Sequence, residues 1–126
     1  MIEKFLFNEK RKLMWKEFLY VKSKLCENFN NVKHIFIFGS FASNKENPDD
    51  IDVLVVLNEN FSKNLSDKYA SVASSNYAAR ERISDEFYNT SGMYIIFAGT
   101  DNISKQNIKF LFDEHRARYK AQPIKI

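Results

Sequence analysis

The chain has 126 residues, 44% apolar and 28% charged, with 19 basic and 16 acidic side chains that leave a formal net charge of +3. That length suits one domain with its own core, and only three glycines and two prolines exclude collagen-like, linker-like and most low-complexity chains. The charge is too small to mark a nucleic-acid binder, and a single cysteine, Cys26, leaves no internal disulfide.

Asn8 is placed to cap a helix from about Glu9 to about Asn30. Its apolar positions Met14, Phe18, Val21, Leu25 and Phe29 recur at helical spacing. Trp15, Leu19 and Cys26 widen the stripe, and Cys26 reads as a small buried hydrophobe. Asn30 and Asn31 form a turn. His34 to Phe38 is a strand of apolar, β-forming residues. Gly39 and Ser40 end it, and Phe41 to Asp49 is a loop that can open with one helical turn. Ile51 to Leu57 is a second strand, apolar after Asp52 and so expected to be covered on both faces. Ser62 or Ser66 caps a helix reaching about Phe87. Met93 to Ala98 is a third strand. Ile108, Leu111, Phe112 and His115 suit a helix from about Ile103 to about Glu114, while Ile108, Phe110 and Phe112 equally suit an alternating strand. The helix is the preferred reading, with a short strand at Pro123 to Ile126. The alternation of strands and helices indicates an α/β or α+β fold, one domain over residues 1–126.

The N-terminus lacks the apolar stretch of a signal peptide. No segment approaches the roughly 18 apolar residues of a membrane helix. A soluble, reducing, cytoplasmic setting without membrane partners is expected. Charge is uneven along the chain. Residues 1–33 carry +4, residues 34–100 carry −4 and residues 101–126 carry +3. Solvated helix faces account for such a pattern, as does an acidic, cation-holding centre between basic flanks that approach an anionic ligand.

The stretch that carries chemistry is HIFIFGSFASNKENPDDIDVLVVL, residues 34–57. Gly39 ends a strand where a side chain would block a ligand. Ser40 adds a hydroxyl and a backbone N–H, so the pair can seat a phosphate oxygen. After nine intervening residues come Asp50-Ile51-Asp52. Two carboxylates two residues apart on a strand share a face, with Cα atoms roughly 7 Å apart. They repel unless a cation lies between them. Mg²⁺ is the natural choice because it accepts one or two carboxylates plus phosphate oxygens. His34 and His115 read as structural or surface histidines, and two isolated histidines with one cysteine do not make a zinc site. Arg116, Arg118 and Lys120 read as a charged surface run, with phosphate binding as the alternative.

At these residues the chain resembles the nucleotidyltransferase superfamily, the group with a DNA polymerase beta-like palm. Its signature is a hydrophobic strand ending in Gly-Ser, then an acid–hydrophobic–acid strand about ten residues on. Gly39, Ser40, Asp50 and Asp52 match it residue by residue. Lys45, Glu46 and Pro48 are similar to a small bacterial branch of nucleotidyltransferase-like proteins. The resemblance implies a small mixed sheet flanked by helices and transfer of a nucleoside monophosphate from an NTP to a hydroxyl of a protein, an RNA or a small molecule. It implies that Asp50 and Asp52 are catalytic and hold Mg²⁺, two ions with the NTP, and that Gly39 and Ser40 hold the terminal phosphates. Minimal members resemble one half of a toxin–antitoxin pair. The family's third carboxylate is expected on Met93 to Ala98, which has none. The nearest acids are Asp85, Glu86, Asp101 and Asp113. The alternative is therefore an NTP- and metal-binding module with weak or no turnover, acting as a partner or antitoxin subunit.

Overall fold

In a computed structural model of the chain, residues 2–60 and 93–126 are described. The helix expected from Ser62 or Ser66 to Phe87 lies outside them. A short 3-10 turn, Ile2–Phe5, opens the described chain. Asn8 has extended backbone and its side-chain oxygen accepts from the N–H of Arg11 at 2.8 Å, which starts α1, Glu9–Asn28. Phe18, Val21 and Leu25 of α1 are buried, and Phe29 follows them into the core. Leu19 is exposed, and so is Cys26, contrary to the buried hydrophobe expected there. The reason is angular. Each helical residue turns 100°, so Cys26, next after Leu25, leaves the seam that Leu25 closes.

Strands β1 (Val32–Phe38) and β2 (Ile51–Leu57) pair antiparallel. β3 (Met93–Ala98) pairs parallel with β2, and the two-residue β4 (Ile124–Lys125) pairs antiparallel with β1. The sheet order is β3-β2-β1-β4, a small mixed sheet in an α+β arrangement, as expected. Strand alternation then sorts the side chains. Ile35, Ile37, Ile51, Val53, Val55, Leu57, Ile95 and Phe97 form one core with Phe18, Val21 and Leu25 of α1. Phe38, Leu54, Val56 and Ala98 form a second core on the other face, against Ile108, Leu111 and Phe112. This double covering is why β2 is apolar at nearly every position.

The second core belongs to α2, Asn102–Tyr119, which resolves the ambiguous tail as a helix. Ile108, Leu111 and Phe112 meet the sheet while Phe110 is 61% exposed, the outcome for helical and not alternating placement. The helix runs past the expected end at Glu114, because the charged residues beyond it include His115, which is buried. It stops at Lys120 (φ 55°), whose N–H bonds the carbonyl of Arg116 at 2.9 Å. Among the described residues no helix is long and apolar enough to cross a membrane.

Candidate functional site

The site forms where β1 ends. Gly39 takes φ +75° and turns the chain into a 3-10 segment, Gly39–Ala42. Phe38 pairs with Asp52 in the antiparallel register, which sets Asp52 directly beside this turn. A Cβ on Gly39 would strike the carboxylate of Asp52, with its Cγ only 3.2 Å away. Glycine is therefore required twice over, by its left-handed backbone and by the neighbouring acid. The sequence predicts a ligand close to Gly39, and the group the structure places there is the carboxylate of Asp52.

Asp50 lies just before β2 and is exposed, whereas Asp52, the second residue of the strand, is half-buried. Burial, reinforced by the negative charge of Asp50, pushes the Asp52 carboxyl up to about 6, and the charge of Arg118 partly opposes the shift. Asp52 is one wall of a cavity of about 340 Å³ between the sheet and α2. Leu54 and Ile96 line its apolar side, and Glu114, His115 and Arg118 line its polar side along α2. Of the basic tail residues, Arg118 faces this cavity. Arg116 instead donates to Asp113 at 2.9 Å and to Gln122 at 3.0 Å.

β3 has no carboxylate, and its register sets Tyr94 opposite Asp52. Asp101 caps α2, accepting from the N–H and hydroxyl of Ser104 at 3.1 and 2.9 Å. Asp113 is exposed and paired with Lys109 and Arg116. Asp85 and Glu86 lie outside the described residues. Glu114, which sequence reasoning passed over, lines the cavity, yet among the described residues no three His, Cys, Asp or Glu side chains group so as to hold a metal ion. Asp50 and Asp52 suit a Mg²⁺ ion that completes its shell with phosphate oxygens and water. The half-buried carboxylate of Asp52, raised to about 6 by burial and by Asp50, is the feature a bound cation would relieve.

Two further residues hold the turn. His115 of α2 is buried. Its Nδ1 accepts from the N–H of Gly39 at 3.2 Å and its Nε2 lies 3.2 Å from the carbonyl of Ala42. An acceptor at Nδ1 requires the neutral ring protonated on Nε2, and burial lowers its pKa in keeping with that form. Because Gly39 already donates to His115, a phosphate at the turn would draw on Ser40. On the opposite side Arg11 of α1 is wholly buried and donates to main-chain carbonyls of the same loop. In the sequence it belonged to a basic flank. Its spacing was the available signal: Arg11, Met14, Trp15 and Phe18 lie three and four apart, so the cation continues the apolar seam of α1.

Comparison with protein families matches residues 1–123 to a family of unknown function (DUF6932), and the chain belongs to that family. Neither the curated proteins nor the solved structures contain a match.

Proposed function

We propose that this member of the DUF6932 family is a minimal, Mg²⁺-dependent nucleotidyltransferase. It moves a nucleoside monophosphate from an NTP to a hydroxyl of a protein, an RNA or a small molecule: the hydroxyl oxygen bonds to the α-phosphorus, the α–β phosphoanhydride bond breaks, pyrophosphate leaves and the hydroxyl proton passes to water. The observation that carries this reading is the half-buried Asp52 carboxylate. Asp50 stands next to it, the Gly39–Ser40 turn lies directly against it, and it opens on a cavity large enough for a small ligand. A solvent-shielded acid beside a second acid is costly to ionise without a cation, and such arrangements are concentrated at functional sites. The similarity of Gly39, Ser40, Asp50 and Asp52 to the nucleotidyltransferase signature supplies the reaction class.

Asp50 and Asp52 would hold Mg²⁺. When bound, the ion would neutralise the acids and phosphate oxygens and stabilise charge in an in-line displacement. Ser40 would orient the terminal phosphates through its hydroxyl and N–H. Arg118, at the cavity wall, adds positive charge toward the phosphates. His115 holds the turn in shape and is not free to act as a base while both its nitrogens are engaged.

A second reading, a binding module with little or no turnover, is favoured by one observation. Asp101 is used as a helix cap, Asp113 is paired at the surface, and β3 offers no acid opposite Asp52. Incubation with Mg²⁺ and labelled NTPs decides between the two. Label transferred to the protein or to a lysate component, and lost in Asp50→Asn/Asp52→Asn, supports the transferase. Saturable Mg²⁺-dependent NTP binding without transfer supports the module. Absence of NTP binding refutes both.

A further inference from the structure

Arg11 has no exposed surface, and no acid pairs with it among the described residues. Its guanidinium is satisfied by main-chain carbonyls alone. Nη1 donates to Phe5 at 3.0 Å and Phe41 at 2.8 Å. Nη2 donates to Ser40, Ser43 and Lys45 at 3.2, 2.9 and 2.6 Å, and Nε donates to Lys45 at 3.0 Å. The rings of Phe7 and Phe41 cover it at 4.4 and 5.0 Å. Four of the five carbonyls lie in the loop that follows Gly39. The fifth, that of Phe5, ties the same guanidinium to the N-terminal segment.

An isolated buried cation is costly, and only a full set of charge-assisted hydrogen bonds offsets it. The loop cannot leave this geometry without stranding the charge, so the cation dictates the path of residues 40–45. Asn8, at the start of the same helix, adds a bond to the carbonyl of Glu46 at 2.8 Å. Ser40, whose carbonyl Arg11 holds, is the residue that the functional reading places against phosphate.

We infer that Arg11 is a positioning residue for the site: it sets the shape of the Gly39–Lys45 loop and, through Ser40, the affinity for the phosphates of an NTP. This inference rests on the functional reading above. A lysine keeps the charge, but its three donors radiate from one point and cannot reproduce a planar fork that spans five carbonyls.

The test compares wild type, Arg11→Lys and the milder Phe7→Ala, which uncovers one face of the guanidinium and keeps its hydrogen bonds. Amide hydrogen exchange is read without ligand, and binding is measured separately for Mg²⁺ alone and for Mg²⁺–ATP. In Arg11→Lys, exchange at residues 40–45 should rise about tenfold or more while β2 amides hold, and Mg²⁺–ATP affinity should fall about tenfold or more. Affinity for Mg²⁺ alone should change less than about twofold, because Asp52 lies on β2 and Asp50 directly before it, both beyond the residues whose carbonyls Arg11 holds. Phe7→Ala should shift loop exchange and ATP affinity in the same direction by a smaller factor, and it decides the matter if Arg11→Lys does not fold. Loop exchange or ATP affinity unchanged in a folded variant overturns the inference, as does an equal loss of Mg²⁺ affinity. If wild type binds no NTP, the functional reading fails on that arm. Faster loop exchange in the variant then reduces Arg11 to a structural clasp and overturns its role in binding.

Discussion

Replacing Asp52 with asparagine should stabilise the protein at neutral pH. The carboxyl of Asp52 is raised from an ordinary 3.8 to about 6, chiefly by burial and secondly by Asp50. A folded-state value above the unfolded one means that the native state binds the proton more tightly. The stability associated with this proton is fully present below about pH 4 and is lost as pH rises through about 6. At 1.36 kcal/mol per unit the shift corresponds to about 3 kcal/mol, and partial exposure of the side chain lowers the expectation to about 2 kcal/mol. Asparagine keeps the shape and removes the charge. Urea unfolding at pH 7.5 in EDTA should therefore show Asp52→Asn more stable by about 2 kcal/mol, a midpoint shift of about 1 M. At pH 4 the advantage should vanish. His115 titrates in both proteins, so the difference between them isolates Asp52. Adding Mg²⁺ should close the gap at pH 7.5, since the ion stabilises only the native wild type. A difference that does not depend on pH, or a wild type that is the more stable at pH 7.5, would refute the reasoning.

Gly39→Ala should cost about 2 kcal/mol in urea unfolding, part from the left-handed backbone and part from the collision with Asp52. Asp52→Ala in that background should recover the steric part, and a double-mutant cycle with no coupling would remove the contact from the account. His115→Leu strands the N–H of Gly39 and the carbonyl of Ala42, so a loss of about 1–3 kcal/mol is expected by the same measurement. Burial depresses the pKa of His115, so its contribution is complete above about pH 6.5 and declines as pH falls. The gap between wild type and His115→Leu should accordingly narrow between pH 7.5 and pH 5, and a constant gap would count against the neutral, Nε2-protonated ring. Asp101→Ala should cost about 1 kcal/mol as a lost helix cap. It should leave Mg²⁺–ATP binding within about twofold of wild type; a selective loss of binding or transfer with unchanged stability would make Asp101 the missing acid after all.

Periodicity located β2 and β3 to the residue, because both are apolar runs bounded by turn-forming or polar residues. It located the start of α1 through Asn8, since a cap is a local contact between near neighbours in the chain. The same reasoning closed α2 too early. The charged run after Phe112 looked like solvent-facing surface, and nothing local reveals that His115 is pulled inward by Gly39 and Ala42, more than seventy positions away. Cys26 was misplaced for the opposite reason. A stripe drawn three or four residues wide takes in positions that packing leaves out, and Cys26, turned 100° from the buried Leu25, is one of them.

The candidate site divides along the same line. Gly39, Ser40, Asp50 and Asp52 are legible from the sequence because they lie in one short segment, although the strand begins at Ile51 and leaves Asp50 exposed just ahead of it. The tertiary structure decided what surrounds them. It set the Asp52 carboxylate against Gly39 through a cross-strand pairing, closed the cavity with Arg118 and Glu114 from a helix sixty residues away, and spent Asp101 and Asp113 on other bonds. It also turned Arg11 from a surface charge into the hub of the loop. A charged residue in a sequence carries no mark of whether it will be solvated or buried. That depends on whether enough acceptors converge on it, and here five carbonyls from two separate segments meet only when α1 docks on the Gly39 loop.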